Sequence, residues 1–132
     1  METKNNKIQI LIVDDESDIR DILEFNLENE GFEIDLAESA EEALEKLTAN
    51  HRLILLDVMM DGMSGFRMAE KLRKSGNNIP IIFLTAKDTE NDMLTGFSIG
   101  GDYYISKPFS IKEVIARVKT VLKRTNTPKQ QS

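Results

Sequence analysis

Apolar residues along this chain fall into two patterns that alternate, short continuous runs and longer stretches with apolar positions three or four apart. Residues 8–13 are rich in β-branched side chains and stop at Asp14-Asp15-Glu16, which predicts a first strand tipped by acids. From Ser17 onward Ile19, Ile22, Leu23 and Leu27 keep helical spacing until Gly31, a residue type that closes helices. Residues 32–36 alternate apolar with charged, so the second strand is half exposed and lies at an edge. Ser39 with Glu42 three positions on forms a capping box, and Ala40, Ala43, Leu44 and Leu47 line the helix behind it.

Leu53-Ile54-Leu55-Leu56 is too short a run for a typical helix, and it delivers Asp57 just ahead of a turn containing Gly62. A strand so uniformly apolar must be covered on both faces, as central parallel strands are. Gly62 and Gly65 punctuate the loop before a helix over 66–74, and residues 75–78 form the next turn. Residues 79–84 make a fourth strand, with Pro80 tolerated at its beginning, and the strand ends at Thr85-Ala86. A weaker helical pattern over 88–99 is interrupted by Gly96, and Gly100-Gly101 breaks it. Residues 102–106 are a short fifth strand closed by Lys107-Pro108, and Ile111, Val114, Ile115, Val118 and Leu122 mark a last helix to about Arg124.

Five strands alternating with five helices predict an α/β domain, a three-layer doubly wound five-stranded parallel sheet with right-handed crossovers. With the second strand at an edge, the economical order is 2-1-3-4-5. The switch point then lies between strands one and three, so Asp14, Asp15 and Asp57 face one crevice at the carboxyl edge. Residues 1–7 read as a disordered leader, 8–124 as the domain, and 125–132 as a tail or the start of an interdomain linker.

Composition narrows the chemistry. The 132 residues include 17 basic and 23 acidic ones, a net charge of -6, which predicts no direct nucleic-acid binding by this stretch. The absence of cysteine excludes disulfides and thiolate chemistry and suits a reducing compartment, so the cytoplasm is expected. No apolar run is long enough to cross a membrane. A lone histidine excludes a multi-histidine metal site, and His51 is expected at the surface between helix and strand.

Three carboxylates in one crevice repel one another unless a cation neutralises them. Oxygen-only donors favour Mg²⁺ or Mn²⁺. A carboxylate beside such an ion can attack phosphorus and form an acyl phosphate, a step that needs positive charge and donors around the phosphoryl oxygens. Lys107 and Thr85, at the tips of strands five and four, can supply both. Taken singly, each of these residues is ordinary: a capping acid, a strand-end acid, a turn threonine, a solvated lysine. Asp61 and Asp102 lie near strand ends as well and are read as loop acids. Convergence of four strand tips on one edge is what points to a site.

Val13-Asp14-Asp15-Glu16, Leu56-Asp57-Val58-Met59-Met60, Leu84-Thr85-Ala86-Lys87 and the segment from Asp102 to Phe109 together resemble the receiver domain of two-component response regulators, a flavodoxin-like fold, in order and spacing from about Ile8 to Arg124. The resemblance implies that Asp57 is the phosphoacceptor for a sensor histidine kinase. It implies that Asp15, Asp57 and the backbone carbonyl of Met59 hold Mg²⁺, that Asp14 orients metal-bound water, and that Lys107 and Thr85 contact the phosphoryl oxygens. It also implies a cis Lys107-Pro108 bond, and a switch in which Thr85 moves toward the phosphoryl group while Tyr104 turns inward. Without the resemblance Tyr104 reads as an edge-strand aromatic.

Two departures stand out. Asp61 occupies a position where receivers commonly have proline. The segments after Asp57 and Lys107 are similar to the OmpR/PhoB type, whose receivers pair through the fourth helix, fifth strand and fifth helix; Glu113, Arg117 and Arg124 fit that pairing, whereas Met93, Ile99 and Tyr103 replace a basic residue and two acids, so a homodimer is expected to be weak or differently packed. Met59 and Lys87 offer no general base for water, which implies a long-lived phosphorylated state. The chain is thus expected to be a signalling module that assists its own phosphorylation, with transcription as the output of a further domain. The rival is a metal-dependent phosphatase of the haloacid dehalogenase kind, which needs an acid where Met59 stands.

Overall fold

A computed structural model of the chain describes residues 7–86, 100 and 102–126. β1 (Gln9–Val13), β2 (Glu33–Ala37), β3 (His51–Asp57), β4 (Ile81–Thr85) and β5 (Tyr103–Ser106) form one sheet in the order β2-β1-β3-β4-β5, and every pairing is parallel. The sequence-derived order is therefore the observed one. Among the described residues the connections contain α1 (Ser17–Asn29), α2 (Ala40–Lys46) and α3 (Gly65–Lys74), and α4 (Ile111–Asn126) follows β5. The helix expected over 88–99, with Met93 and Ile99, lies outside the described residues, as does Lys87.

The period-two alternation of the strands divides the core into two layers. Ile10, Ile12, Leu53, Leu55, Ile82 and Leu84 point to one face and pack against Leu23 and Leu27 of α1 and Val114, Val118 and Val121 of α4. Leu11, Val13, Ile54, Leu56, Ile81 and Phe83 point to the other, against Ala40 and Ala43 of α2 and Met68, Ala69 and Leu72 of α3. Of the seven residues of β3 only Arg52 is exposed, which is why this strand has no polar face to show in the sequence. At the edge, β2 keeps Glu33, Asp35 and Leu36 partly exposed. α2 is short, and its start is fixed by Ser39 Oγ accepting the Glu42 N–H at 3.0 Å, while Glu42 Oε1 accepts the Glu38 N–H at 2.8 Å.

His51 corrects the sequence reading. It is the first residue of β3, with only 6% of its surface exposed. Nδ1 accepts the Thr48 N–H at 3.0 Å, and Nε2 stands 2.7 Å from Asp35 Oδ2 on β2. With Nδ1 engaged as an acceptor, Nε2 carries the proton and donates it to the carboxylate. A histidine satisfied at both nitrogens can be buried.

Candidate functional site

The sheet register assembles the site. Val13 pairs with Leu56, Asp57 with Leu84, and Thr85 with Ser106, so Asp14, Asp57, Thr85 and Lys107 leave four neighbouring strands at one carboxyl edge. Asp14, Asp57 and Thr85 are buried there, Asp57 with 2% of its surface exposed.

Asp14 is held on every side. Its N–H donates to the Ala37 carbonyl at 3.1 Å, and its own carbonyl accepts from Arg20 Nη1 at 2.7 Å. Oδ1 accepts the Glu16 N–H at 2.9 Å, leaving Oδ2 to accept from Lys107 Nζ at 3.0 Å. The same ammonium stands 3.5 Å from Asp57 Oδ1 and 4.0 Å from Glu16 Oε2. Lys107 is anchored by its backbone, whose N–H donates to the Thr85 carbonyl at 2.6 Å, and the Lys107-Pro108 bond is cis.

Asp57 is an unusually reluctant anion. Burial, then the charge of Asp14 and more weakly that of Asp15, push its carboxyl up to about 7; the Lys107 charge and a hydrogen bond from the Met59 N–H act in the opposite direction without prevailing. Burial also works to lower the Lys107 ammonium, but the hydrogen bond and charge of Asp14, with the charges of Asp57 and Glu16, outweigh it and hold the group above the ordinary lysine value. One cation therefore does not neutralise the crevice. Asp14, Asp15 and Glu16 each bring a carboxylate oxygen within 4.8 Å of the others, and this oxygen-only donor set fits a hard divalent ion.

The predicted residues meet as follows. Asp14, Asp57 and Lys107 are in direct contact, Asp15 acts on Asp57 through its charge, and Thr85 is joined to Lys107 through the backbone. Met59 lies past the end of β3 with its side chain half exposed. Tyr104 is half-buried on β5 against the layer containing Phe83, and Asp61 is exposed.

Two contributors escaped the sequence reading. Glu16 shares Lys107 with Asp14 and Asp57. Gly65, noted only as loop punctuation, begins α3 so close to β3 that an added Cβ would collide with the backbone carbonyl of Asp57, while its N–H donates to the Val58 carbonyl at 3.0 Å. A glycine directly after the N-cap Ser64 was the available signal.

Comparison with known proteins bears on this geometry. Residues 10–119 match the response regulator receiver domain family. The transcriptional regulatory protein ResD of Bacillus subtilis is 47% identical over 124 residues, which cover 93% of this chain and 51% of ResD. The receiver domain of the Francisella response regulator 1452 is similar with a TM-score of 0.87 at 35% identity, over 91% of this chain and 100% of that one. The response regulator TrrA of Thermotoga maritima, solved in complex with Mg²⁺ and BeF, gives a TM-score of 0.77 at 40% identity, over 86% of this chain and 98% of that one. The chain spans about half the length of the curated relatives it matches.

Proposed function

Since this chain belongs to the response regulator receiver domain family, we propose that a sensor histidine kinase phosphorylates it on Asp57. Its curated relatives are transcriptional regulators of the OmpR/PhoB type, and the domain is a signalling module rather than a classical enzyme. The observation that carries the proposal is the buried Asp57 beside a lysine already shared with Asp14, at the meeting of four strand tips.

In the proposed reaction an Asp57 carboxylate oxygen attacks the phosphorus of a phosphohistidine. The P–N bond breaks, its electron pair goes to the imidazole, which takes up a proton from solvent, and an acyl phosphate remains on Asp57. Lys107 offsets charge on the phosphoryl oxygens and Thr85 donates its hydroxyl to one of them. Asp15, Asp57 and the Met59 carbonyl are the proposed holders of Mg²⁺, or of Mn²⁺, with Asp14 orienting bound water. Such an ion supplies Lewis-acid stabilisation of the transferring group. The raised carboxyl of Asp57 supports this assignment, because an added cation favours its ionised, nucleophilic form.

A groove of about 470 Å³ runs from Glu16 and Lys107 along Ile19, Ile22, Pro108 and Phe109. Being apolar and continuous with the site, it is the proposed seat of the kinase surface that bears the phosphohistidine. Phosphorylation is read out, in this proposal, through movement of Thr85 and Tyr104 to the face formed by the predicted fourth helix, β5 and α4. Self-association through that face is proposed to be weak: Arg117 and Arg124 stack over the Tyr103 ring at 5.0 and 5.8 Å, and Arg124 also reaches Asp102 at 3.3 Å, all within one chain. The residues after α4 are proposed to lead to an output domain, as the greater length of the relatives suggests. No helix among the described residues is long and apolar enough to cross a membrane, and the cytoplasm is the proposed compartment.

The test is intact mass after incubation with Mg²⁺ and phosphoramidate. One phosphate on the wild type and none on Asp57→Ala is the expected result; equal labelling of both proteins would reject Asp57.

A further inference from the structure

The loop from β3 to α3 runs from Val58 through Met59, next to Asp57, to Ser64, the N-cap of α3. Its base is closed by the Gly65 N–H on the Val58 carbonyl at 3.0 Å. Its tip is held from outside. Glu41, in the first turn of α2, accepts the Met63 N–H on Oε2 at 3.2 Å. The same oxygen lies 3.2 Å from the place a Cβ on Gly62 would occupy, where φ is +78°. The carboxylate therefore sits directly on the backbone of the loop tip, in space that exists because residue 62 has no side chain.

Glu41 is not needed to cap its own helix. Ser39 Oγ takes the Glu42 N–H, and Glu42 itself takes the Glu38 N–H. Residues 59–64 contain no proline, so no ring restricts φ anywhere in the loop. Met60 and Met63 pack their side chains against the core layer of α2 and α3, and Glu41 adds the hydrogen bond that fixes the backbone at the tip.

We propose that Glu41 is a positioning residue whose carboxylate straps the β3–α3 loop to α2 and thereby fixes the backbone of Met59 beside Asp57. The inference rests on the reading of Asp57 as phosphoacceptor and deepens it. The Met59 N–H already donates to the Asp57 carboxylate, and the Met59 carbonyl is a proposed cation donor. With the bond at Met63 lost, side-chain packing alone would hold the tip, and both groups would be placed less firmly.

Amide NMR on the metal-free protein, followed by Mg²⁺ titration, tests this with Glu41→Ala and Glu41→Gln. Loss of one exposed hydrogen bond should speed exchange of the Met63 amide about 5-fold in Glu41→Ala and shift the Met59 amide, with the amides of 81–85 unmoved. The apparent Mg²⁺ affinity should fall about 10-fold, as for other groups that support a ligand without touching the ion. Glu41→Gln, whose amide oxygen still accepts from Met63, should restore the Met63 protection and most of the affinity. Unchanged Met59 and Met63 amides in Glu41→Ala would overturn the proposal. So would a Glu41→Gln protein indistinguishable from Glu41→Ala, because the effect would then be charge alone. A wild type that takes up no Mg²⁺, while Met59 and Met63 still answer to Glu41, overturns the reading of the site and supports the strap.

Discussion

Lys107 Nζ lies closer to Asp14 Oδ2, at 3.0 Å, than to Oδ1 of Asp57, at 3.5 Å. Asp14 thus holds the ammonium in place beside Asp57 without fully neutralising it, and the residual negative charge has consequences that can be measured.

The first is a pH dependence. The Asp57 carboxyl titrates at about 7 in the folded chain against an ordinary value of 3.8. The folded state therefore binds this proton more tightly, and the contribution of Asp57 to stability, full below about pH 4, should decline as pH rises through about 7 and then level off. Urea unfolding of metal-free protein should show a loss of about 1–4 kcal/mol across that window. Asp57→Asn should remove the slope and be the more stable protein at pH 8, and Mg²⁺ should recover stability in the wild type alone. An unaltered slope in Asp57→Asn would place the titration elsewhere.

Gly65 is predicted to be intolerant. Gly65→Ala drives a methyl group into the Asp57 carbonyl, a backbone atom that cannot swing aside, and should cost about 3 kcal/mol in urea unfolding and abolish phosphorylation. Gly31→Ala, with open space around it, should lose only the smaller cost of a positive φ. Similar losses in the two variants would mean that α3 can back away from β3.

At the opposite end of β3, His51→Ala leaves Asp35 and the Thr48 N–H without their ring partners and opens a void. A loss of about 1–3 kcal/mol is predicted, with phosphate incorporation at Asp57 unchanged. A fall in incorporation without a fall in stability would contradict the separation of the two ends.

His51 also shows where reading the chain stops. The runs ending at Val13, Asp57 and Thr85 were legible because both faces of those strands are buried, leaving each polar tip conspicuous. The edge position of β2 was legible in the alternation of residues 32–36, and with it the strand order that brings Asp14 to Asp57. The pairing of His51 with Asp35, sixteen residues earlier, leaves no local trace. Nor does the need for glycine at 65, which arises from the approach of α3 to β3, or the reach of Glu16 to Lys107. These are properties of packing across elements, and neither period nor propensity encodes them.

Tyr103 governs the next prediction. With Arg117 and Arg124 stacked on its ring, the phosphorylated protein should remain monomeric at micromolar concentration in sedimentation. Tyr103→Asp removes the ring and supplies an acid, and should strengthen self-association of the phosphorylated form by about tenfold. Tight dimers of the wild type would show that the two arginines are not held back.

The most direct test of the account is to locate the phosphoryl group. Borohydride reduction of an aspartyl phosphate leaves homoserine, which tandem mass spectrometry places at a single residue. After incubation with Mg²⁺ and phosphoramidate, homoserine at position 57 is the predicted result; homoserine at 14, 15 or 61, with none at 57, would contradict the assignment of Asp57 and the mechanism built on it.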